Sequence, residues 1–149
     1  SGIIEIADSA EINTGTDTTR AMPTAAFVNS NRNIRYLAIR LLSNTTAVTA
    51  ATGIGGDFES LIAGTFVEAG AFVDIAGTAA GTIDIHLAGT TIMSTKIILN
   101  ANEKSSRTAG TAVVFSNTAC IAGSVLTFDV DAAPTGASGL VVRYGVRLA

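Results

Sequence analysis

The only histidine of the chain, His86, stands two residues after Asp84 in the segment GTIDIHLAGTTI. In an extended strand, residues two apart point to the same face. A histidine beside a carboxylate can act as an oriented general base. However, the sequence contains no Gly-x-Ser-x-Gly elbow that would supply a nucleophile. The pattern therefore favours a histidine that faces solvent or a protein interface, and not a catalytic base.

Two further carboxylates, Asp129 and Asp131, alternate with apolar residues in SVLTFDVDA and also share one face of a predicted strand. Paired carboxylates can bind Ca²⁺ or hydrolyse glycosidic bonds. Two carboxylates leave most of a calcium shell unfilled, and no recognisable metal-binding loop is adjacent. We interpret them as a polar strand face close to a turn. The sequence thus predicts no catalytic residue, no metal site and no cofactor.

A glycine-rich stretch, TGIGGDFE at residues 52–59, is the remaining candidate for chemistry. A phosphate-binding loop needs a helix directly after it, so that the helix N-terminus faces the anion. Strand-like sequence follows instead. The stretch therefore predicts a turn with at least one residue at positive φ.

The elements that carry these residues are almost all strands. Apolar residues alternate with polar or small ones in seven segments separated by turn residues, which predicts an all-β fold, an antiparallel β-sandwich of jelly-roll type. Helical turns are expected only near residues 9–15 and 23–30. Arg143 and Arg147 share one face of the last strand, where they would protect a sheet edge or pair with carboxylates. The seven segments are residues 35–42, 64–77, 81–92, 93–100, 111–117, 124–132 and 139–149.

The composition favours an assembly over a monomer. Only 14% of the 149 residues are charged and 48% are hydrophobic, whereas ordinary soluble domains are about 25% charged. A net charge of −3 without a basic block argues against a nucleic-acid partner. No apolar run approaches the roughly 18 residues of a membrane helix, so no membrane insertion is expected. The single cysteine, Cys120, is expected to be a small buried apolar residue.

The polar segment AEINTGTDTTRAMPTAAF, residues 10–27, resembles a short module of bacteriophage tail-fibre proteins. That module reads approximately Ala-Glu-x-Asn-x-Gly-Thr-Asp-x-Thr-Arg-x-x-Thr-Pro, and this chain departs from it with Met22 before Pro23. The second half resembles the C-terminal β domain that follows the module in phage tail proteins. The motifs that carry this second resemblance occur in the same order: MSTK, EKSS, DVD and GLVV.

The resemblance implies an organisation and a function. Residues 1–33 would form a connector and oligomerisation segment, and residues 34–149 the β-sandwich. The family implies a homotrimer in the virion, on the tail, that binds the host surface without catalysis and through several copies. Its partners would be other virion proteins and a bacterial surface glycan. The candidate residues for the oligomer interface are Asp17, Arg20, Phe27 and Arg35.

Two other functions remain open from the sequence. A small β domain with few charges could be a cement or decoration protein that stabilises a phage head. It could also be an enzyme that degrades a host polysaccharide, in which case His86, Asp84, Asp129 and Asp131 would have to supply the acid and the base.

Overall fold

The computed structural model describes Ser30 and residues 33–148, and this part of the chain is almost entirely antiparallel β-sheet. The predicted helical turn at residues 9–15 and the interface candidates Asp17, Arg20 and Phe27 lie outside it, as does the turn at 23–30 apart from Ser30. One 3-10 helix, Ser106–Thr108, interrupts the strands. No helix in the described residues has the length and apolar character needed to cross a membrane. The strands are β1 (Ile34–Ala47), β2 (Phe58–Glu59), β3 (Gly64–Ile75), β4 (Gly81–Leu87), β5 (Thr90–Thr91), β6 (Met93–Thr95), β7 (Ile97–Leu99), β8 (Val114–Phe115), β9 (Ala119–Cys120), β10 (Val125–Ala132) and β11 (Ser138–Leu148).

The strands form two principal sheets with nested pairing. One sheet has the order β1-β11-β3-β9, and the other has the order β2-β10-β4, with β5 and β7 both paired to β4. Early strands therefore pair with late ones: β1 with β11, β2 with β10, β3 with β9, and β4 with β7. A long two-stranded ribbon that is rolled up in this way is a jelly roll. The predicted antiparallel β-sandwich is confirmed.

The core lies between the two sheets and follows the alternation of the sequence. Ile83 and Ile85 of β4 are fully buried opposite Val130 and Phe128 of β10. Phe66 of β3 is the aromatic centre of the core, because its ring contacts two others at centroid distances of 5.8 Å, those of Phe115 and Tyr144. Cys120 is buried, as expected, and its thiol donates to the carbonyl oxygen of Ile62.

The structure corrects several sequence-based boundaries. The segment 93–100 is not one strand: β6 pairs with β8, whereas β7 pairs with β4, and Lys96 lies at the break. The segment 111–117 contains only the two residues of β8. Strands β2 and β9, of two residues each, were not predicted, since so short a segment has no periodicity.

The expected role of the two arginines of β11 is also wrong in part. β11 lies between β1 and β3, so Arg143 and Arg147 do not protect a sheet edge. Arg143 forms no ion pair with the described residues either. The two arginines do share one face of the strand, and it is the face opposite the core, because the alternating residues Val142 and Tyr144 are buried in the core.

The glycine-rich turn at residues 52–59 has the backbone that the sequence predicts. Gly53, Gly55 and Gly56 all have positive φ, which glycine adopts at little cost. The turn runs along the edge of β10, where the amide of Ile54 donates to the carbonyl oxygen of Phe128 at 2.8 Å. Its position brings the backbone of Gly53 close to the polar face of β10.

Candidate functional site

Five titratable residues meet on the face of the β4–β10 sheet opposite the core. Asp84 of β4 stands directly opposite Asp129 of β10, and like charges in that relation destabilise a sheet. The pair therefore needs positive or hydrogen-bonding partners, and neighbouring segments supply them. We call the group the charged cluster; it consists of Asp84, His86, Lys96, Asp129 and Asp131.

Asp84 is the centre of the charged cluster, and only 1% of its side chain is exposed. The Nζ atom of Lys96 lies 2.8 Å from Asp84 Oδ2. The hydroxyl of Thr91 and the amide of Ile85 each donate to Oδ1 at 2.8 Å. Burial by itself raises the pKa of Asp84, but the hydrogen bonds from Lys96, Thr91 and His86 outweigh it, so the pKa lies below its ordinary value.

Lys96 is the cation of the charged cluster. Its Nζ atom is also 2.6 Å from Asp131 Oδ2, so one ammonium group bridges a buried and a half-exposed carboxylate. The hydrogen bonds to Asp131 and Asp84 raise the pKa of Lys96 above its ordinary value. Lys96 lies at the break between β6 and β7, where the chain stops pairing with β8 and begins to pair with β4. This break brings the lysine to the charged cluster.

His86 connects the two opposed carboxylates. Its Nε2 atom lies 3.1 Å from Asp84 Oδ2 and 3.6 Å from Asp129 Oδ2. Asp129 Oδ1 accepts a hydrogen bond of 2.8 Å from the amide of Gly53. The histidine is 23% exposed and turned toward carboxylates, so the expectation that it faces solvent or an interface is only partly correct.

The geometry of the charged cluster is that of a cross-link. Among the described residues, no serine, threonine or cysteine side chain forms a hydrogen bond with His86 that would prepare a nucleophile. In the same part of the chain, no three His, Cys, Asp or Glu side chains are arranged to hold a metal ion. The contacts instead tie β4 and β10 to the 52–59 turn and to the segment that carries Lys96.

A second feature is an open cavity of about 500 Å³ at one edge of the sandwich, which we call the apolar groove. Leu61 beside it is 83% exposed. Arg35 continues the row of Leu37 and Ile39 along β1, and Asp57 and Glu59 line the opposite wall. None of these three charged residues forms an ion pair within the described part of the chain. The largest lining side chains are Leu37, Ile39, Phe58, Leu61, Ile62 and Tyr144.

A third feature is a cavity of about 400 Å³ beside β3, which we call the polar groove. Its floor and walls include Glu68 and Ala69 of β3, Arg143 of β11, and the 3-10 helix with the loop that follows it. Sequence analysis missed this site. Its residues come from four separate segments, and no motif in the sequence joins them.

Comparisons of the chain with family models, with curated proteins and with solved structures found no match. Functional arguments for this chain therefore rest on its own residues and geometry, together with the motif resemblance described above.

Proposed function

We propose that this chain is a non-catalytic structural protein of a bacteriophage virion, a distal tail-fibre-type domain that attaches to the host surface. The proposal starts from the resemblance of residues 10–27 and of the four later motifs to tail-fibre modules. The observation that carries it is the apolar groove, an apolar surface at the edge of the sandwich that the described residues leave uncovered. A jelly roll is compatible with this role, because capsid and lectin domains use the fold, although a fold alone does not specify a function.

A second copy of the chain is the occupant that best fits the apolar groove. Exposed apolar surface of this kind usually marks an interface, and the chain has few charged residues to keep it apart from its neighbours. The charges at the groove are complementary, because Asp57 and Glu59 line one wall and Arg35 extends the row of β1 side chains that forms the other wall. A neighbouring copy can therefore cover the groove and satisfy these charges at the same time.

Multivalency would strengthen the attachment of such an assembly to the host surface. Three copies on one axis present three equivalent surfaces, so a weak contact with a bacterial surface glycan becomes an effective attachment. The charged cluster supports a non-catalytic role, since its carboxylates are engaged by Lys96, His86, Thr91 and backbone amides. A general acid or base would need to face a reacting group.

Antibody labelling of intact particles tests the proposal directly. Gold-labelled antibodies against the purified chain should bind the distal tail of phage particles that contain it, and light scattering should show that the chain is a trimer. Labelling over the whole head would assign the chain to capsid decoration and reject the tail-fibre function. Cleavage of a host polysaccharide that is lost in an Asp84→Asn variant with an unchanged fold would establish an enzyme instead.

A further inference from the structure

The polar groove lies where the described part of the chain pairs one edge of β3 at its two ends and leaves the middle open. Gly64 and Thr65 pair with β9. Near the other end, Phe72 bridges to Ser105, and the amide of Val73 donates to the carbonyl oxygen of Lys104 at 2.9 Å. Between these points no described strand covers the stretch from Val67 to Ala69, which lines the cavity.

The open stretch of β3 presents a backbone donor. Ala71 directs its amide away from β11, to the Ser106 Oγ atom at 2.9 Å. Amide direction repeats every second residue in an antiparallel strand, so the amide of Ala69 points to the same side. Within the described part of the chain, this amide has no hydrogen-bond acceptor.

Arg143 supplies a cation that has no counter-ion among the described residues. Its guanidinium lies across Gly70, where an added Cβ atom would be 3.0 Å from Arg143 Nε and 2.9 Å from Ser106 Oγ. The Nε atom is buried and has no hydrogen-bond partner in the described residues. A partly buried guanidinium with no carboxylate partner is costly, and a ligand that brings an oxyanion would remove that cost.

The rim of the polar groove carries charges of both signs, and its loop wall consists of small residues. Arg107 Nη2 lies 3.9 Å from Glu68 Oε1, and both side chains are largely exposed. Ala109, Gly110 and Ala112 form the loop wall, so a ligand can approach the backbone closely. The Ser106 hydroxyl accepts from Ala71, and its own hydrogen has no acceptor among the described residues, so it can donate to a ligand.

We propose that the polar groove binds a saccharide that carries a carboxylate. This inference rests on the proposed function, because it names the class of surface glycan and the place where it binds. An arginine matches a carboxylate through two parallel hydrogen bonds. Arg143 would take the carboxylate, together with the Ala69 amide or the Ser106 hydroxyl.

Glu68 decides between a saccharide and an acidic peptide. A carboxylate at the rim repels both acidic ligands, but it also accepts hydrogen bonds from sugar hydroxyls, which offset the repulsion for a saccharide and which a glutamate peptide lacks. The cavity of about 400 Å³ lies within the range of small-molecule sites, roughly 300–1,000 Å³. The groove therefore suits a short acidic oligosaccharide better than a polyanionic peptide.

Titration calorimetry with three probes tests the inference: tetragalacturonate, neutral maltotetraose and a tetraglutamate peptide. We expect tetragalacturonate to bind most tightly, with an affinity that falls as salt is added. Arg143→Gln should weaken its binding about tenfold or more, and Arg107→Gln should weaken it less. Arg40→Gln is the matched control, because Arg40 lies on the same sheet face but is paired with Asp74 at 2.6 Å, and it should leave binding unchanged.

Several results would overturn the inference. One is equal or tighter binding of maltotetraose or tetraglutamate, and another is no measurable binding of tetragalacturonate. A third is unchanged affinity in both Arg143→Gln and Arg107→Gln; the rim variant keeps the test valid if Arg143→Gln fails to fold. None of these results affects the particle-labelling experiment, so the function and its binding site can fail separately.

Discussion

The Nζ atom of Lys96 lies 2.8 Å from the Oδ2 atom of Asp84, a carboxylate that is almost completely shielded from solvent. This contact joins the chain at the break between β6 and β7 to the middle of β4. Asp84 itself stands opposite another carboxylate, Asp129. The lysine therefore offsets a charge repulsion that the sheet register creates.

Replacing Lys96 with Met should destabilise the fold by about 2 kcal/mol. Breaking a fully buried ion pair by removing one partner costs roughly 3–5 kcal/mol, and the 36% exposure of Lys96 reduces that cost through solvent screening. Urea unfolding at neutral pH measures it. Asp131→Asn is the control, because it removes the more exposed partner and should cost less than about 1 kcal/mol. Equal effects of the two variants would contradict the assignment of Asp84 as the buried partner.

The pKa of Asp84 also predicts how stability depends on pH. Because hydrogen bonds hold this pKa below its ordinary value, the folded state releases the proton more readily than the unfolded state. The resulting stabilisation is complete above the unfolded value of about 3.9 and is lost as pH falls through the lower folded value.

Asp84→Asn removes this titration, so the variant should be less stable at neutral pH and should lose less stability between neutral pH and acid. Urea midpoints across that range give the slope. If stability falls with pH at the same slope in Asp84→Asn as in the parent, this account is wrong.

Gly139 should tolerate alanine less well than Gly136. Both have positive φ, where alanine costs about 1–2 kcal/mol. A Cβ atom on Gly139 would also collide with the carboxylate of Asp74 and lie 3.1 Å from the Asn44 Cα atom, whereas Gly136 has open space. We expect Gly139→Ala to cost a further 1–3 kcal/mol, roughly the range for overpacking. Thermal unfolding measures the stability of both variants. Equal melting temperatures for Gly139→Ala and Gly136→Ala would show that the collision is unimportant.

Leu61→Asp should weaken association between copies if the apolar groove is the subunit contact. Burial of one leucine contributes about 1.5–3 kcal/mol, so the dissociation constant should rise tenfold or more. Sedimentation over a concentration series measures it. Ile75→Asp is the matched control, because Ile75 is also an exposed apolar residue but lies outside the groove. The same association for parent and Leu61→Asp would exclude the groove as the contact.

The period-two pattern was sufficient to predict strands and their faces but not their partners. The core contains the apolar members of the alternating segments, among them Ile83, Ile85, Val142 and Tyr144. Lys96 was missed because MSTKIILN contains no glycine or proline that would mark a break between two strands at the lysine. The meeting of Asp84 with Asp129 depends on the β4–β10 register, which is a long-range property that neither segment encodes alone.

The site residues show the same limit. His86 and Asp84 were recognised as a pair because they are close in sequence, whereas Arg143 and Ser106 become neighbours only after β3 and β11 have paired. Arg35 lies where an interface residue could act, and its role there stays a prediction.

The nested pairing has a consequence for biosynthesis. β1 leaves the ribosome before the other strands, but its partner β11 is synthesised about a hundred residues later. Contacts between such distant segments form slowly, and a nascent chain exposes its unmatched strand until then. The sandwich can therefore close only after translation has passed residues 138–148, and premature termination before them would yield a polypeptide that aggregates or is degraded.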